Sequence, residues 1–170
     1  MKKILIIGFS FIPFFVNAQK TWNQFELEAA FGGLVFPNRH YATRDKNTSY
    51  LYSLELRHRL TDQNPINVGL QVCASSGVQH SGIIAIFSDY KFRSKSCLQP
   101  FIGLGAGYRS CFIVTPRNGE IDNPTYHGGV IVPRVGTNIS KYSRLTLSCN
   151  ICTTEYMSFA MTLGFVVGGK

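Results

Sequence analysis

The chain has 170 residues, and its 17 lysines and arginines against 9 acidic residues give a formal charge of +8. Beyond the N-terminus no apolar run approaches the roughly 20 residues that a membrane-spanning helix needs, which excludes a helical membrane protein. The basic balance points to nucleic acid or to an anionic membrane surface as the charged partner.

The N-terminus favours the second. Residues 1–20 read MKKILIIGFSFIPFFVNAQK. Two lysines precede an apolar stretch from Ile4 to Val16, interrupted by Pro13, and Val16-Asn17-Ala18 then stand before Gln19. This is the order of a secretory signal peptide cleaved after Ala18, and the apolar run is too short for an anchoring helix. Removing Lys2 and Lys3 lowers the charge from +8 to +6. Residues 19–170, about 150 residues, have the length of one domain.

From Gln24 onward, polarity alternates with period two through eight segments of about ten residues, the signature of half-buried strands rather than helices. In QFELEAAFGGLVF, Phe25, Leu27, Ala29 and Phe31 oppose Glu26, Glu28, Ala30 and Gly32. In YLYSLELRHRL, Tyr50, Tyr52, Leu54 and Leu56 oppose Ser53, Glu55, Arg57 and Arg59, and in PINVGLQVCA, Ile66, Val68, Leu70 and Val72 alternate with Asn67, Gly69 and Gln71. GIIAIFSDYKF sets Ile84, Ile86, Tyr90 and Phe92 against Asp89, Lys91 and Arg93. The fifth segment, PFIGLGAGYRS, places Gly103, Gly105 and Gly107 on one face and Ile102, Leu104, Ala106 and Tyr108 on the other. Glycines at this spacing resemble a phosphate loop, but such a loop needs a following helix. Here CFIVTP follows, so the stretch is a strand.

The sixth segment, GGVIVPRVGTNI, contains Pro133, which removes a ladder donor and weakens it as a strand. SRLTLSCNI and YMSFAMTLGFVV restore the pattern, with Phe159, Met161, Leu163, Phe165 and Val167 sharing a face. Long polar stretches, PNRHYATRDKNT and TPRNGEIDNPTYH, fall at one end of this array, where VQH and TTE are shorter. The tight connections TDQN, RSKS and SK fall at the other. A transmembrane barrel has this asymmetry.

Alternation alone does not say which face meets water. A soluble lipocalin-like barrel puts its apolar face inside around an apolar ligand. An outer-membrane barrel inverts this, because an arginine facing lipid at the midplane costs about 2 to 4 kcal/mol. Two features favour inversion. The polar face is rich in glycine (Gly69, Gly103, Gly105, Gly107 and Gly136), which a narrow lumen needs and a wet surface does not. Aromatics (Trp22, Phe36, Tyr41, Tyr50, Tyr90, Phe92, Tyr108, Tyr142 and Tyr156) gather near segment ends, as interfacial girdles do. The expected fold is therefore an all-β, eight-stranded antiparallel up-and-down transmembrane β-barrel. Gly103, Gly105 and Gly107 are expected either to leave lumen space for long charged side chains or to relax strand curvature.

The signal peptide, the eight alternating segments, the fifth strand PFIGLGAGY and the last strand SFAMTLGFVVGG together resemble the small outer-membrane β-barrel superfamily, the OmpA/OmpX-type and opacity-protein barrels. The resemblance implies an outer-membrane location and a non-enzymatic role in membrane integrity or surface interaction through loops 37–48 and 114–127. It implies as partners outer-membrane lipid and lipopolysaccharide, the barrel-insertion machinery, and extracellular ligands met by the loops, with no nucleic acid and no cofactor. Such barrels finish on an aromatic, whereas this chain runs past Phe165 through VVGGK, so the insertion signal would fall on Phe159, Phe165 or an internal version of it.

The chemistry-bearing residues fit a structural role. Glu26, Glu28, Glu55 and Asp89 can meet Arg57, Arg59, Lys91, Arg134 and Arg144 in a crossing lumen network without an open pore. Glu26 and Glu28 share a face at about 7 Å, within reach of paired-carboxylate chemistry, but charges in a narrow lumen are drawn first to ion pairing. Some barrels of this superfamily modify lipid with a His and a Ser on the outer wall. His58 is the histidine well inside a strand on the apolar face, and no adjacent serine is expected to share that face. Five cysteines (Cys73, Cys97, Cys111, Cys149 and Cys152) leave at least one unpaired within a single chain. The single CxxC at Cys149 and Cys152 lacks the second half of a zinc site, and the thiols read as small apolar fillers.

Overall fold

A computed structural model of the chain describes residues 24–37, 48–60, 65–77, 79–93, 98–113, 115–117, 120–122, 125–153 and 157–169. The signal-peptide segment, Trp22, Tyr41, Tyr156, Cys97 and most of loop 37–48 lie outside them. Ten strands follow in chain order: β1 (Phe25–Val35), β2 (Thr48–Arg59), β3 (Ile66–Gly77), β4 (Gln79–Lys91), β5 (Gln99–Ile113), β6 (Thr115–Arg117), β7 (Glu120–Asp122), β8 (Thr125–Asn138), β9 (Ser143–Cys152) and β10 (Met157–Gly168). Eight close into an antiparallel barrel in the order β1-β10-β9-β8-β5-β4-β3-β2, so each barrel strand lies beside the barrel strands before and after it in the chain and β1 closes on β10.

The short β6 and β7 pair with each other as a separate ribbon. The stretch read as loop 114–127 is thus partly strand, and β8 begins at Thr125, three residues before the sixth segment. Extended residues continue pairing past the point where hydrophobic alternation fades, because ladder bonds need only backbone.

Period two sets the wall. Ile86 is 69% exposed and its neighbour Phe87 only 5%. Outward residues run through Leu27, Leu54, Leu70, Ile84, Leu104, Ile131, Leu147 and Leu163, all exposed. A soluble barrel would have this set inside, so the lipocalin-like alternative is overturned and the wall is that of a transmembrane barrel. Closing the sheet also pairs the strand edges, which lipid demands. Aromatics cluster toward both ends: Tyr90 on Phe92 and Tyr142 on Phe165 at the tight-turn end, Phe31 between Tyr50 and Tyr52 at the other. Phe36, expected in a girdle, is instead buried in the lumen beside Leu34 and Leu51. It falls on the same parity as Leu34, so alternation turns it inward.

The lumen is layered. Toward the long-loop end it holds an apolar cluster of Leu34, Phe36, Leu51, Cys73, Ile83, Ala85, Val130, Val132 and Ala160. Toward the tight-turn end lie the buried charges other than Arg109.

Pro133 does lie in a strand, and the ladder shows its effect. Pairing between β8 and β9 holds at Ile131 with Ile151 and resumes at Arg134 with Ser148, skipping Val132 and Pro133. On the other side β5 pairs without a break through Leu104 and Pro133. The missing N–H therefore falls on the β9 seam. Pro133→Val supplies a donor there and is expected to stabilise the barrel by about 1 kcal/mol, the net worth of an ordinary hydrogen bond. Urea unfolding in detergent micelles measures it, and an unchanged midpoint would mean that the gap has a cause other than proline.

Candidate functional site

Five strands supply the charged layer because each carries an acidic or basic residue at an inward parity. β1 brings Glu26 and Glu28, β2 Glu55, Arg57 and Arg59, β4 Asp89 and Lys91, β8 Arg134 and β9 Arg144. The strand registers set Glu28 directly opposite Glu55, and Glu26 opposite Arg57.

Arg57 lies at the centre. Its Nη1 is 2.5 Å from Glu28 Oε2, its Nη2 meets Glu55 Oε2, and its Nε stands 3.4 Å from Asp89 Oδ2. Arg134 joins Glu55 at 2.8 Å and Asp89 at 3.3 Å from the opposite side of the lumen. Arg144 bridges Glu28 at 2.9 Å and Glu26 at 2.7 Å, and its Nε donates to Asn138 Oδ1 at 2.5 Å. Glu26 also takes Lys91 at 2.6 Å and Arg59 at 3.8 Å. All nine residues expected in the lumen thus form one connected set of four carboxylates and five cations. Arg57, Arg134, Arg144, Glu28, Glu55 and Asp89 are buried almost completely, whereas Arg59 and Lys91 sit nearer the rim. Gln71 donates to Glu55 Oε1 at 2.6 Å.

Two lumen aromatics complete the layer. Arg134 lies 4.4 Å from the centre of the Phe87 ring and 5.8 Å from that of Phe101, while Arg57 and Arg144 flank these rings at 5.3 and 5.6 Å. Ring faces attract cations, so Phe87 and Phe101 add a second attraction to that of the carboxylates.

Glycines make room for these groups. Arg57 faces Gly69 across the ladder, Asp89 and Arg134 both face Gly103, and Arg144 faces Gly164. A Cβ on Gly103 would stand 2.0 Å from Asp89 Oδ1, and one on Gly164 2.0 Å from Glu28 Oε1. Gly105 and Gly107 differ from the expectation of space for charges. Gly105 faces Phe87 and Val132, and Gly107 approaches the Ile84 carbonyl and the Ala85 backbone, so their space is taken by apolar groups and by strand curvature. They lie farther from the tight-turn end, where the layer has changed from charged to apolar.

Arg109 was missed among the lumen cations. It is buried at the long-loop end, with Nη1 donating to Cys152 Sγ at 3.2 Å and to Ser158 Oγ at 3.4 Å. Continuing the parity of Gly103, Gly105 and Gly107 by one more step reaches it. The CxxC pair divides as strand geometry requires, since Cys152 faces Arg109 in the lumen and Cys149, three residues away, takes the opposite parity. Among the described residues, no group of acidic, histidine and cysteine side chains is placed to hold a metal ion.

On the wall, His58 packs against Phe25 with ring centres 4.6 Å apart. The serine on its face is not adjacent: His58 pairs with Val68, and Val68 with exposed Ser88. Two strand spacings put them roughly 10 Å apart with Val68 between, beyond direct proton transfer.

No protein-family model matches this chain, and no curated protein matches it in sequence. Solved structures do. The N-terminal β-barrel domain of Pseudomonas aeruginosa OprF is similar at TM-score 0.55 and 18% identity, over 85% of this chain and 98% of that one. Neisserial surface protein A is similar at TM-score 0.58 and 12% identity, over 84% and 96%. The fold is that of the small eight-stranded outer-membrane barrels. The attachment invasion locus protein of Yersinia pestis, solved with the heparin analogue sucrose octasulfate, also matches, at TM-score 0.51 and 12% identity over 85% of this chain and 99% of that one.

Two substitutions test the layer. Arg57→Ala leaves three carboxylates short of their shared cation and is expected to cost about 3 to 5 kcal/mol, less where water enters. Lys141→Ala, at the exposed turn, is expected to cost well under about 1 kcal/mol. Equal unfolding midpoints for the two variants would rule out a tightly paired interior. Gly107→Ala forces a methyl group against the Ile84 carbonyl, at 2.0 Å, and is expected to destabilise by about 1 to 3 kcal/mol. Gly82→Ala, with nothing within 4 Å of its Cβ, is expected to be neutral or stabilising. The same two-variant comparison by thermal unfolding checks it.

Proposed function

We propose that this is an exported, non-enzymatic integral protein of the bacterial outer membrane, serving membrane integrity and surface contact through loops 37–48 and 114–127. The observation that carries the reading is the inversion of polarity across a closed sheet. Apolar side chains form the wall, and mutually paired charges fill the interior. The protein has no use for such a wall except in lipid, and none for such an interior if ions are to flow freely. Tight turns then face the periplasm and the long connections face outward, as in transmembrane barrels generally.

The absence of catalysis is supported by the engagement of every carboxylate in the layer with a cation, and by the distance between His58 and Ser88. A packed interior of eight strands supports a lumen without a large pore. Surface contact is supported by the β6–β7 ribbon, a pair of strands separate from the barrel sheet that lies in the connection between β5 and β8. Lipopolysaccharide and outer-membrane lipid are the partners of the wall, and the insertion machinery is proposed to read Phe159 or Phe165, both exposed on β10.

The test is fractionation. The protein is expected to remain with the outer membrane through a high-salt wash, because salt weakens only electrostatic attachment. It is also expected to shift in gel mobility on heating, and to show no large, steady single-channel conductance in planar bilayers. Recovery in the soluble periplasm without detergent contradicts the membrane reading. Protease added to intact cells is expected to cut near Arg44 or Arg117, and cutting confined to TDQN or RSKS would reverse the orientation.

A further inference from the structure

The residues that follow Phe165 do not form a tail. Val166, Val167 and Gly168 prolong β10 and pair with Glu28, Leu27 and Glu26 of β1, so they add three rungs to the seam on which the barrel closes. Val166 is buried in the lumen, Val167 faces outward, and the Val166 N–H donates to the Tyr142 carbonyl at 2.8 Å on the β9 side. Without these rungs Glu26, Leu27 and Glu28 would keep their pairing with β2 and lose it on the other side. Their backbone groups would then stand on an open edge, which lipid cannot satisfy.

Beyond the last rung the chain turns onto Glu26. Gly168 has φ +94° and Gly169 φ +70°, both in the left-handed region that glycine enters without steric cost. The turn lays Gly169 against the Glu26 side chain: a Cβ on Gly169 would strike Glu26 Cγ and stand 2.8 Å from its Oε1. Glu26 is not free to step aside. Its Oε1 takes Lys91 at 2.6 Å and Arg59 at 3.8 Å, and its Oε2 takes Arg144 at 2.7 Å. One carboxylate near the start of β1 is thus tied by charge to β2, β4 and β9, and the end of β10 packs directly on it.

We propose that residues 166–169 are a latch, which holds β1 closed on β10 at the tight-turn end by seating the turn at Gly168 and Gly169 on a Glu26 that three other strands keep in place. The seam needs such a device more than any other. Each of the remaining seams joins strands that follow one another in the barrel and are linked by a connection at one end, whereas β1 and β10 have no connection between them at either end. Closure there rests on what the two strands offer each other. Rungs added beyond Phe165 lengthen the pairing, and the glycine turn fixes its last rung to the charged layer.

Hydrogen–deuterium exchange on the mature protein folded in detergent micelles, read by peptide mass spectrometry, tests the latch. A chain ended at Val167 is expected to exchange the amides of residues 26–29 about tenfold faster than the parent, because the seam opens locally, while residues 68–72 and 83–87 on the β3–β4 seam keep their rates. Gly169→Ala, which forces a methyl group against the held Glu26, is expected to move residues 26–29 in the same direction and by less. Gly82→Ala, with open space around its Cβ, is the control and is expected to leave them unchanged. Heat-dependent gel mobility confirms that each variant is folded, and if the shortened chain does not fold, Gly169→Ala decides. Unchanged rates at residues 26–29 in the folded variants, or an acceleration shared equally by the β3–β4 seam, overturn the latch and leave the membrane reading standing.

Discussion

An eight-stranded barrel has an interior only as wide as the side chains that fill it. Any charge turned inward must therefore find its counter-charge in the same confined layer, or remain a buried ion without compensation. In this protein that constraint organises half of the molecule. Arg57 touches three carboxylates from three strands, and Arg134 and Arg144 close the circuit from the far side. The carboxylates and the ring packed against the arginines need space that a Cβ on the next strand would take: a Cβ on Gly103 would strike Asp89, one on Gly164 would strike Glu28, and one on Gly69 would strike the Phe87 ring. Paired buried charges are not a rich source of stability, since desolvation offsets most of their attraction. They make the register costly to change instead: a one-residue slip of any of these strands would turn its charges into lipid.

The wall obeys a second constraint, that backbone groups at membrane depth must be paired within the protein. Closing β1 on β10 removes the edges, and the ladder runs unbroken around the barrel except where Pro133 faces β9. What is left for the protein to present to its surroundings is a lipid-facing cylinder and two ends. The two ends are unlike. At one, the charged layer lies where the connections between strands are short in sequence, and the other carries the β6–β7 ribbon and the apolar cluster.

The layering bears on function. An apolar cluster from Leu34 to Ala160 lies across the lumen at the long-loop end, and a charged layer lies beneath it. Water and ions would have to pass both, one of which does not solvate them and in the other of which each carboxylate is already paired with a cation.

Much of this was legible in the chain. Period-two alternation by itself determined the eight barrel strands and the two residue sets of each, because a strand offers only two faces. The price of arginine in lipid then determined which set faces inward, so that all nine charged residues were already assigned to one compartment. Continuing the same parity would have reached Arg109, Phe87 and Phe101. Only the tertiary structure decided which charges meet, since partners such as Glu55 and Arg134 come from strands 79 residues apart and depend on barrel closure and stagger. It also decided that Phe36 lies inside, that Gly105 and Gly107 yield to apolar groups rather than to charges, and that Val68 stands between His58 and Ser88. The physical reason is the same in each case. Sequence alternation assigns a residue to a face, but its height along the barrel axis and its neighbours across the ladder are set by the registers of all eight strands together.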